Sequence, residues 1–199
     1  MLWRHGQTIW NAESRFQGQT DIPLDDTGEA QAALAASRLA TLRPEAIFSS
    51  DLTRATNTAA PLARLTGLPV RLDKDLRERS GGSWEGLTDR QIGERYPAER
   101  ATWDPPDGET TTAVADRVSA ALRRIAETVS DGGLVVVVSD GAALRLGMAR
   151  MLGLAEDVFN VLGPLSNCSW SVLGLRYGRW RLLEHNAGTL PEPVLGDDR

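Results

Sequence analysis

The sequence predicts an α/β fold: a three-layer α/β/α sandwich in which a mostly parallel central sheet lies between two layers of helices. Predicted strands alternate with predicted helices along most of the chain, which is the pattern of parallel βαβ units. The run 134–138, Leu-Val-Val-Val-Val, is apolar and rich in β-branched residues, as is typical of a strand buried on both faces. The length of 199 residues suits one core, so we expect a single domain over 1–199.

Each element is predicted from a local signal. A short strand ends at Trp3, turns at Gly6 and is expected to be clipped at Met1. A helix begins near Asp26, interpreted as its N-cap because Glu29 follows three positions later. The other predicted elements are strand 46–48, helix 53–66 ended by Gly67, strand 69–72, helix 88–96, the proline-rich loop 104–108, helix 111–129, strand 134–138, helix 142–152, closing strands near 169–173 and 180–183, and an ordered loop after Asn186.

Composition narrows the class of partner. The formal net charge of -5 and the pI of about 5.1 give no general attraction for nucleic acid or for a membrane surface, so any bound anion must meet a local cluster of Arg or Lys. Cys168 is the only cysteine, which excludes an internal disulfide framework and a multi-cysteine zinc site and favours a cytoplasmic location. We find neither a signal peptide nor an apolar run long enough to span a membrane.

Candidate site residues follow the predicted strands, because ligands of open α/β sheets bind beyond the carboxyl ends of the strands. Arg4 and Arg54 can each offer a planar fork of donors to phosphate oxygens, and His5 can offer a neutral nitrogen as nucleophile. Glu78 can give a proton to a departing oxygen and later take one from water, and we prefer it to the nearby Glu85. These groups together point to phosphoryl transfer.

Three segments resemble the histidine phosphatase (phosphoglycerate mutase-like) superfamily, and the match covers nearly the whole chain. They are Arg4-His5-Gly6-Gln7-Thr8 with Trp10-Asn11 and Arg15-Phe16-Gln17-Gly18, then Ser49-Ser50-Asp51-Leu52-Thr53-Arg54-Ala55 with Thr58-Ala59, and Leu76-Arg77-Glu78 with 82–88. The resemblance implies that His5 is the residue phosphorylated, that Arg4 and Arg54 clamp the phosphate and that Glu78 is the acid/base. It also implies a pocket lined by Thr8, Asn11, Gln17, Gly18 and Gly141.

The fourth signature of that family, a hydrophobic strand ending in Ser-His-Gly, departs from the family here. Residues 134–138 lead into Ser139-Asp140-Gly141, so an aspartate replaces the second histidine. That histidine donates to a phosphoryl oxygen in the family, whereas an ionised aspartate only accepts. We therefore count Asp140 among the catalytic positions and expect weak or altered turnover.

The sequence leaves three functions open. The first is a metal-independent phosphomonoesterase acting on a small phosphorylated metabolite, with no cofactor, no metal, no nucleic-acid or membrane partner, and a possible homodimer. The second is a mutase of the phosphoglycerate type, which is disfavoured because the chain is compact between Glu78 and Leu134. The third is a catalytically impaired homologue that binds a phospholigand, which Asp140 alone favours. We expect His185 to be structural and Cys168 to be buried and inert.

Overall fold

The computed structural model describes residues 1–188 and places six strands in one sheet. The order across the sheet is β3-β2-β4-β1-β5-β6. The strands are β1 (Leu2–Arg4), β2 (Ala46–Ser49), β3 (Val70–Leu72), β4 (Val135–Ser139), β5 (Trp170–Arg176) and β6 (Arg179–Ala187). β1 to β4 run parallel to one another, whereas β5 is antiparallel to both β1 and β6.

Helices cover both faces of this sheet, which confirms the predicted sandwich. The α-helices are α1 (Ile9–Ala12), α2 (Asp26–Ala40), α3 (Thr53–Thr66), α4 (Asp89–Arg95), α5 (Pro97–Thr102), α6 (Thr111–Ala126) and α7 (Gly141–Met151). Short 3₁₀ turns occupy Lys74–Leu76, Gly82–Trp84 and Glu156–Val161. Within residues 1–188, none of the helices has both the length and the apolar character needed to cross a membrane.

The central strand β4 shows why the valine run belongs at the middle of the sheet. Val136 and Val138 pack with residues of α2 and α3 on one face, and Val137 packs with residues of α6 and α7 on the other. All three valines are at most 1% exposed. Because successive side chains of a strand point to opposite faces, a strand buried on both faces must be apolar at every position.

Several predicted boundaries were wrong, for local reasons. The N-cap of α2 is Asp25 rather than Asp26, since the Asp25 carboxylate accepts from the Gly28 amide at 2.8 Å. α6 ends at Ala126, short of the expected residue 129. The short helices α1 and α5 were not predicted, because a helix of one or two turns is too short to show a 3.6-residue period. β6 extends to Ala187, and the rest of the expected C-terminal loop from 189 lies outside the described residues.

A small aromatic cluster is separate from the two hydrophobic clusters that cover the faces of the sheet. Phe16, Trp84 and Trp103 meet edge-on or tilted, with ring centroids 5.2–6.2 Å apart. Trp84 is fully buried, in keeping with a packing role. Edge-to-face contacts of this kind stabilise by roughly 0.5–1.5 kcal/mol beyond the area they bury. The cluster fixes a loop region next to the carboxyl edge of the sheet, where the candidate site lies.

Candidate active site

The parallel strands bring three signature segments together at the carboxyl edge of the sheet. Arg4 at the end of β1 lies in register with Ser139 at the end of β4. The His5 amide then donates to the Ser139 carbonyl at 2.9 Å, and the Ser50 amide donates to the Val138 carbonyl at 3.0 Å. The residues that follow β1, β2 and β4 are therefore neighbours, as expected for a doubly wound sheet.

The His5 imidazole is held in one orientation and one tautomer. Its Nδ1 lies 2.6 Å from the Gly6 carbonyl oxygen, and because a carbonyl only accepts, Nδ1 must carry the proton. The His5 carbonyl accepts from the Cys168 amide at 3.1 Å and from Asn167 Nδ2 at 3.2 Å. In neutral His5, Nε2 is consequently the nitrogen with the free electron pair.

Asp140 contacts that nitrogen. Its Oδ1 lies 3.2 Å from His5 Nε2 and 2.5 Å from Arg54 Nε, and all three side chains are at most 2% exposed. A hydrogen bond between Nε2 and Oδ1 requires a proton on one of the two atoms, because both carry electron pairs otherwise. Nε2 carries that proton only when His5 is protonated, and in that state it cannot attack phosphorus.

The pKa values of the two groups follow from their burial and from each other. Burial lowers the pKa of His5 below its ordinary value, while the hydrogen bond and the negative charge of Asp140 act in the opposite direction. Burial pushes the pKa of Asp140 upward, but the charge of Arg54 and the hydrogen bond from His5 outweigh it, so that the pKa falls to about 2. Asp140 is therefore an anion at neutral pH.

Arg54 is bound on three sides. Besides Asp140, its Nη1 donates to the Thr20 carbonyl at 2.8 Å and its Nη2 to the Gly18 carbonyl at 2.7 Å. Arg54 is fully buried near the start of α3. The backbone carbonyls fix the plane of the guanidinium, and the carboxylate of Asp140 takes the place of an anionic ligand on its Nε edge.

Glu78 lies at the N-terminus of α7, beside the same edge. Its carboxylate accepts from the amides of Ala142 at 3.0 Å, Ala143 at 2.8 Å and Arg79 at 2.7 Å. Arg117 donates to the Glu78 carbonyl at 2.9 Å, which holds the segment in place. The competing residue, Glu85, instead binds the amides of the loop that carries Thr20. The structure therefore brings Glu78, rather than Glu85, to the opening beside α7.

The remaining predicted pocket residues form a buried polar network. Thr8 Oγ1 donates to Gln17 Oε1 at 2.8 Å, and Asn11 Oδ1 accepts from the Thr8 amide at 3.1 Å and from Asn167 Nδ2 at 3.1 Å. Gly141 is the first residue of α7 and follows Asp140 directly. Arg4 is buried and its guanidinium donates to the Leu165 carbonyl.

Sequence reasoning missed Asn167, Thr20 and Arg145, and it placed Thr58 in the second signature without giving it a role. Asn167 precedes β5, and because β5 is antiparallel its start lies at the carboxyl edge of the parallel strands. A search limited to residues after strands cannot find it. Thr58 accepts from the Gly6 amide at 3.0 Å, and Thr20 acts through its backbone, which no sequence pattern reveals. Arg145 had a signal: it is a charged residue in the middle of the otherwise apolar helix α7, whereas the other charged residue of the helix, Arg150, lies in its last turn.

His185 and Cys168, the two residues expected to be structural, are respectively hydrogen-bonded on both ring nitrogens and buried. His185 lies between Ser171 Oγ, 3.0 Å from its Nδ1, and the Gly163 carbonyl, 2.8 Å from its Nε2. Cys168 is 2% exposed, and burial raises the pKa of its thiol to about 12.

Native protein is expected to leave Cys168 unmodified by a thiol reagent such as 5,5′-dithiobis(2-nitrobenzoate), because the thiolate is the reactive form. Absorbance at pH 8 should show no release of thionitrobenzoate from folded protein and full release in guanidinium chloride. Rapid labelling of the folded protein would contradict the buried placement of Cys168.

The Arg-His-Gly turn, the buried guanidinium and the carboxylate of Glu78 on this sheet define an α/β protein of the phosphoglycerate mutase-like class. The chain belongs to the histidine phosphatase superfamily (branch 1), whose family model matches residues 1–188. The predicted family is thereby confirmed.

Named relatives are similar over most of the chain. A glucosyl-3-phosphoglycerate phosphatase of Mycolicibacterium vanbaalenii is 40% identical over 182 residues, which are 85% of this chain and 81% of the relative. A probable phosphoglycerate mutase GpmB of Salmonella arizonae is 38% identical over 186 residues, covering 90% and 86% of the two chains.

A solved structure of a mycobacterial glucosyl-3-phosphoglycerate phosphatase in complex with VO3 superposes with a TM-score of 0.89. It is 37% identical to this chain, and the match covers 94% of this chain and 98% of the other. A second structure of that phosphatase, with inorganic phosphate, has a TM-score of 0.85 at 37% identity, with 94% and 95% of the chains covered.

Proposed function

We propose that this protein hydrolyses a small phosphate monoester through a phosphohistidine formed on Nε2 of His5. One observation carries the proposal: the Gly6 carbonyl fixes the proton on Nδ1, so that neutral His5 presents the electron pair of Nε2 beside Arg54. An imidazole held in one tautomer by a backbone carbonyl is ready to act as a nucleophile. The relatives named as phosphatases support the same activity.

The proposed reaction has two steps. In the first, Nε2 attacks phosphorus, the bond from phosphorus to the ester oxygen breaks, and Glu78 gives that oxygen its proton. In the second, Glu78 takes a proton from water, the hydroxide oxygen bonds to phosphorus and the bond from phosphorus to Nε2 breaks. Arg54 and Arg4 would hold the phosphoryl oxygens throughout, with no metal ion.

Asp140 is the obstacle in this scheme. Its Oδ1 occupies the space between Nε2 and the Arg54 guanidinium, where a phosphoryl oxygen would have to bind. The ester must therefore displace the carboxylate from both partners before attack. This requirement makes the enzyme slow, and it is the specific observation that favours the second candidate, a phospholigand-binding homologue with little turnover.

The substrate class follows from the relatives rather than from the fold. Relatives named as glucosyl-3-phosphoglycerate phosphatases cover 85–94% of this chain, so we propose a phosphorylated sugar or sugar acid as substrate. Other relatives are named as probable phosphoglycerate mutases, so the alternative reaction is transfer of the phosphoryl group to an organic acceptor.

The test is to trap the phosphoenzyme. Brief incubation with a radiolabelled phosphate ester in the presence of EDTA, followed by quenching in alkali, is expected to leave acid-labile label on the peptide that contains His5. His5→Ala is the matched control and should remain unlabelled. Release of inorganic phosphate supports the phosphatase, and an isomerised ester supports the mutase. Tight binding of the ester without any label would overturn the proposal in favour of the binding homologue.

A further inference from the structure

The Asp140 carboxylate has one oxygen in use and one without a partner. Its Oδ1 contacts Arg54 Nε at 2.5 Å and His5 Nε2 at 3.2 Å. Its Oδ2 is buried, and no group of residues 1–188 donates a hydrogen bond to it. Asp140 as a whole is only 1% exposed. A buried carboxylate oxygen without a donor is destabilising, and in a ligand site the missing donor can belong to the ligand.

The backbone donors that an aspartate at this position would normally bind are already taken. Asp140 is the N-cap of α7, and an N-cap aspartate usually accepts from the amide of the second or third helical residue. Those residues are Ala142 and Ala143, and both of their amides donate to Glu78 instead. A carboxylate that leaves Arg54 therefore finds no free donor at the start of its own helix.

A phosphoryl group that binds beside His5 and Arg54 moves this carboxylate without removing it from the site. That position of the phosphoryl group is the only part of the proposed function on which the inference rests. The backbone of Asp140 stays in place, because it joins β4 to α7 and its carbonyl accepts from the Leu144 amide at 3.0 Å. Only the side-chain torsions of Asp140 can change, so the displaced carboxylate remains next to the phosphoryl oxygens.

The charges around Asp140 make an unprotonated phosphoryl oxygen an unfavourable neighbour for it. Asp140 is an anion at neutral pH, since its pKa is about 2. It contacts His5 and Arg54. The charge of Arg4 also acts on His5, and Glu78 adds a second carboxylate at the start of α7. Two acceptor oxygens cannot form a hydrogen bond without a proton between them, whereas a P–OH group donates to a carboxylate.

We propose that Asp140 makes this site select phosphoryl groups that still carry a proton, with the P–OH group donating to the displaced carboxylate. Arg54 donates to an unprotonated phosphoryl oxygen, and Asp140 accepts from the protonated one. For a phosphate monoester the selected species is the monoanion, because the dianion has no P–OH group. A tetrahedral anion that carries no proton, such as sulfate, is rejected.

Phosphate and sulfate provide the test, because at pH 8 both are mainly tetrahedral dianions and only phosphate carries a proton. Calorimetry measures the dissociation constants of both anions for the wild type and for Asp140→Asn. We expect the wild type to bind phosphate at least about a hundredfold more tightly than sulfate. Asp140→Asn should bind the two anions within about threefold of each other, because its amide group can donate as well as accept. Equal affinities in the wild type, or an undiminished preference in Asp140→Asn, would overturn the inference.

Glu78→Gln is the matched control, since Glu78 is the other carboxylate beside the site. Its two oxygens already accept from the amides of Arg79, Ala142 and Ala143, so neither depends on a donor from the ligand. The preference for phosphate over sulfate is therefore expected to stay within about threefold of its wild-type value. A preference that Glu78→Gln loses and Asp140→Asn keeps would assign the selection to Glu78 and overturn the role of Asp140.

The wild type alone gives a second measurement, which does not depend on whether a variant folds. Methylphosphonate and phosphate change from monoanion to dianion over nearly the same pH range, but only phosphate keeps a P–OH group as the dianion. Because both anions meet the same protonation state of His5 at each pH, the ratio of their affinities removes the titration of the protein. Binding of methylphosphonate relative to phosphate is expected to fall at least about tenfold between pH 6 and pH 9. A ratio that does not change with pH would contradict the inference.

The phosphoenzyme experiment separates this inference from the proposed function. If the protein distinguishes phosphate from sulfate through Asp140 but never forms a labelled His5, the inference is supported and the proposed function fails. If His5 is labelled but the wild type binds both anions equally, the proposed function is supported and the selection by Asp140 is wrong.

Discussion

Replacing Asp140 with histidine is expected to raise the rate of phosphate-ester hydrolysis by at least about tenfold. The substitution removes an anion from the space between His5 Nε2 and Arg54, and it adds a side chain that can donate to a phosphoryl oxygen. Two like unit charges about 4 Å apart repel by on the order of 4 kcal/mol at an effective dielectric near 20, which is roughly three orders of magnitude in binding. Steady-state hydrolysis of a phosphomonoester measures the change.

Asp140→Asn is the matched control, because it has the same shape and no charge. It should recover the part of the gain that comes from removing repulsion, but not the part that comes from a histidine donor. The pH profile gives a second readout. Asp140 raises the pKa of His5, so either substitution should lower that pKa further and leave Nε2 bare at lower pH. The acid limb of phosphoenzyme formation is then expected to move to lower pH.

Thermal unfolding tests whether the Asp140 variants change activity only because they change the stability of the protein. Loss of the buried contact with Arg54 is expected to destabilise the free protein by about 3–5 kcal/mol, and added phosphate should restore most of that loss by binding to Arg54. Equal activity of the wild type and both variants, with an unmoved acid limb, would show that Asp140 does not obstruct the site.

The second large effect is expected from Glu78→Gln, which should lower kcat by about 10²–10⁴-fold for alkyl phosphates. Glutamine keeps the size of the side chain but cannot transfer a proton, and its amide group competes badly for the backbone donors of Ala142 and Ala143. The loss should be much smaller for p-nitrophenyl phosphate, since a nitrophenolate leaves without help from an acid. Kinetics with both classes of ester measure the ratio.

Glu85→Gln is the control for this experiment, because Glu85 was the competing candidate. Glu85 binds the amides of Gln19 and Thr20, so its substitution should disturb the loop that supports Arg54. Alkyl and nitrophenyl esters should then be affected equally. A leaving-group dependence seen with Glu85→Gln, and absent with Glu78→Gln, would reverse the assignment of the acid.

The sequence predicted the sheet and the side chains that follow its parallel strands, because both depend on short-range patterns. The valine run of β4 and the placement of His5 and Arg54 after β1 and β2 needed only local periodicity and the rule for strand ends. The contact of Asp140 with both His5 and Arg54 could not be predicted, because it depends on side-chain conformations and joins Asp140 to Arg54, 86 positions away, and to His5, which is further still. The sequence showed that a carboxylate stands where the family signature has an imidazole, but it did not show what the carboxylate would bind.

The second layer of the site escaped prediction for a different reason. Asn167 reaches the His5 carbonyl from the start of an antiparallel strand, and the Gly18 and Thr20 carbonyls that hold Arg54 are backbone groups common to every residue. Neither kind of contact leaves a residue-type signal. Arg145 could have been found from a simpler argument, since a charged residue inside an apolar helix needs a reason.

Asp140 is the N-cap of α7, yet its side chain makes no capping hydrogen bond, and the amides of the first helical turn are bound by Glu78 instead. The start of the helix therefore places little demand on the identity of residue 140. Codons for aspartate and histidine differ at their first base alone. A single nucleotide change thus separates this site from one with an imidazole at position 140, and a growth selection for phosphatase activity would be expected to recover that change among its first variants.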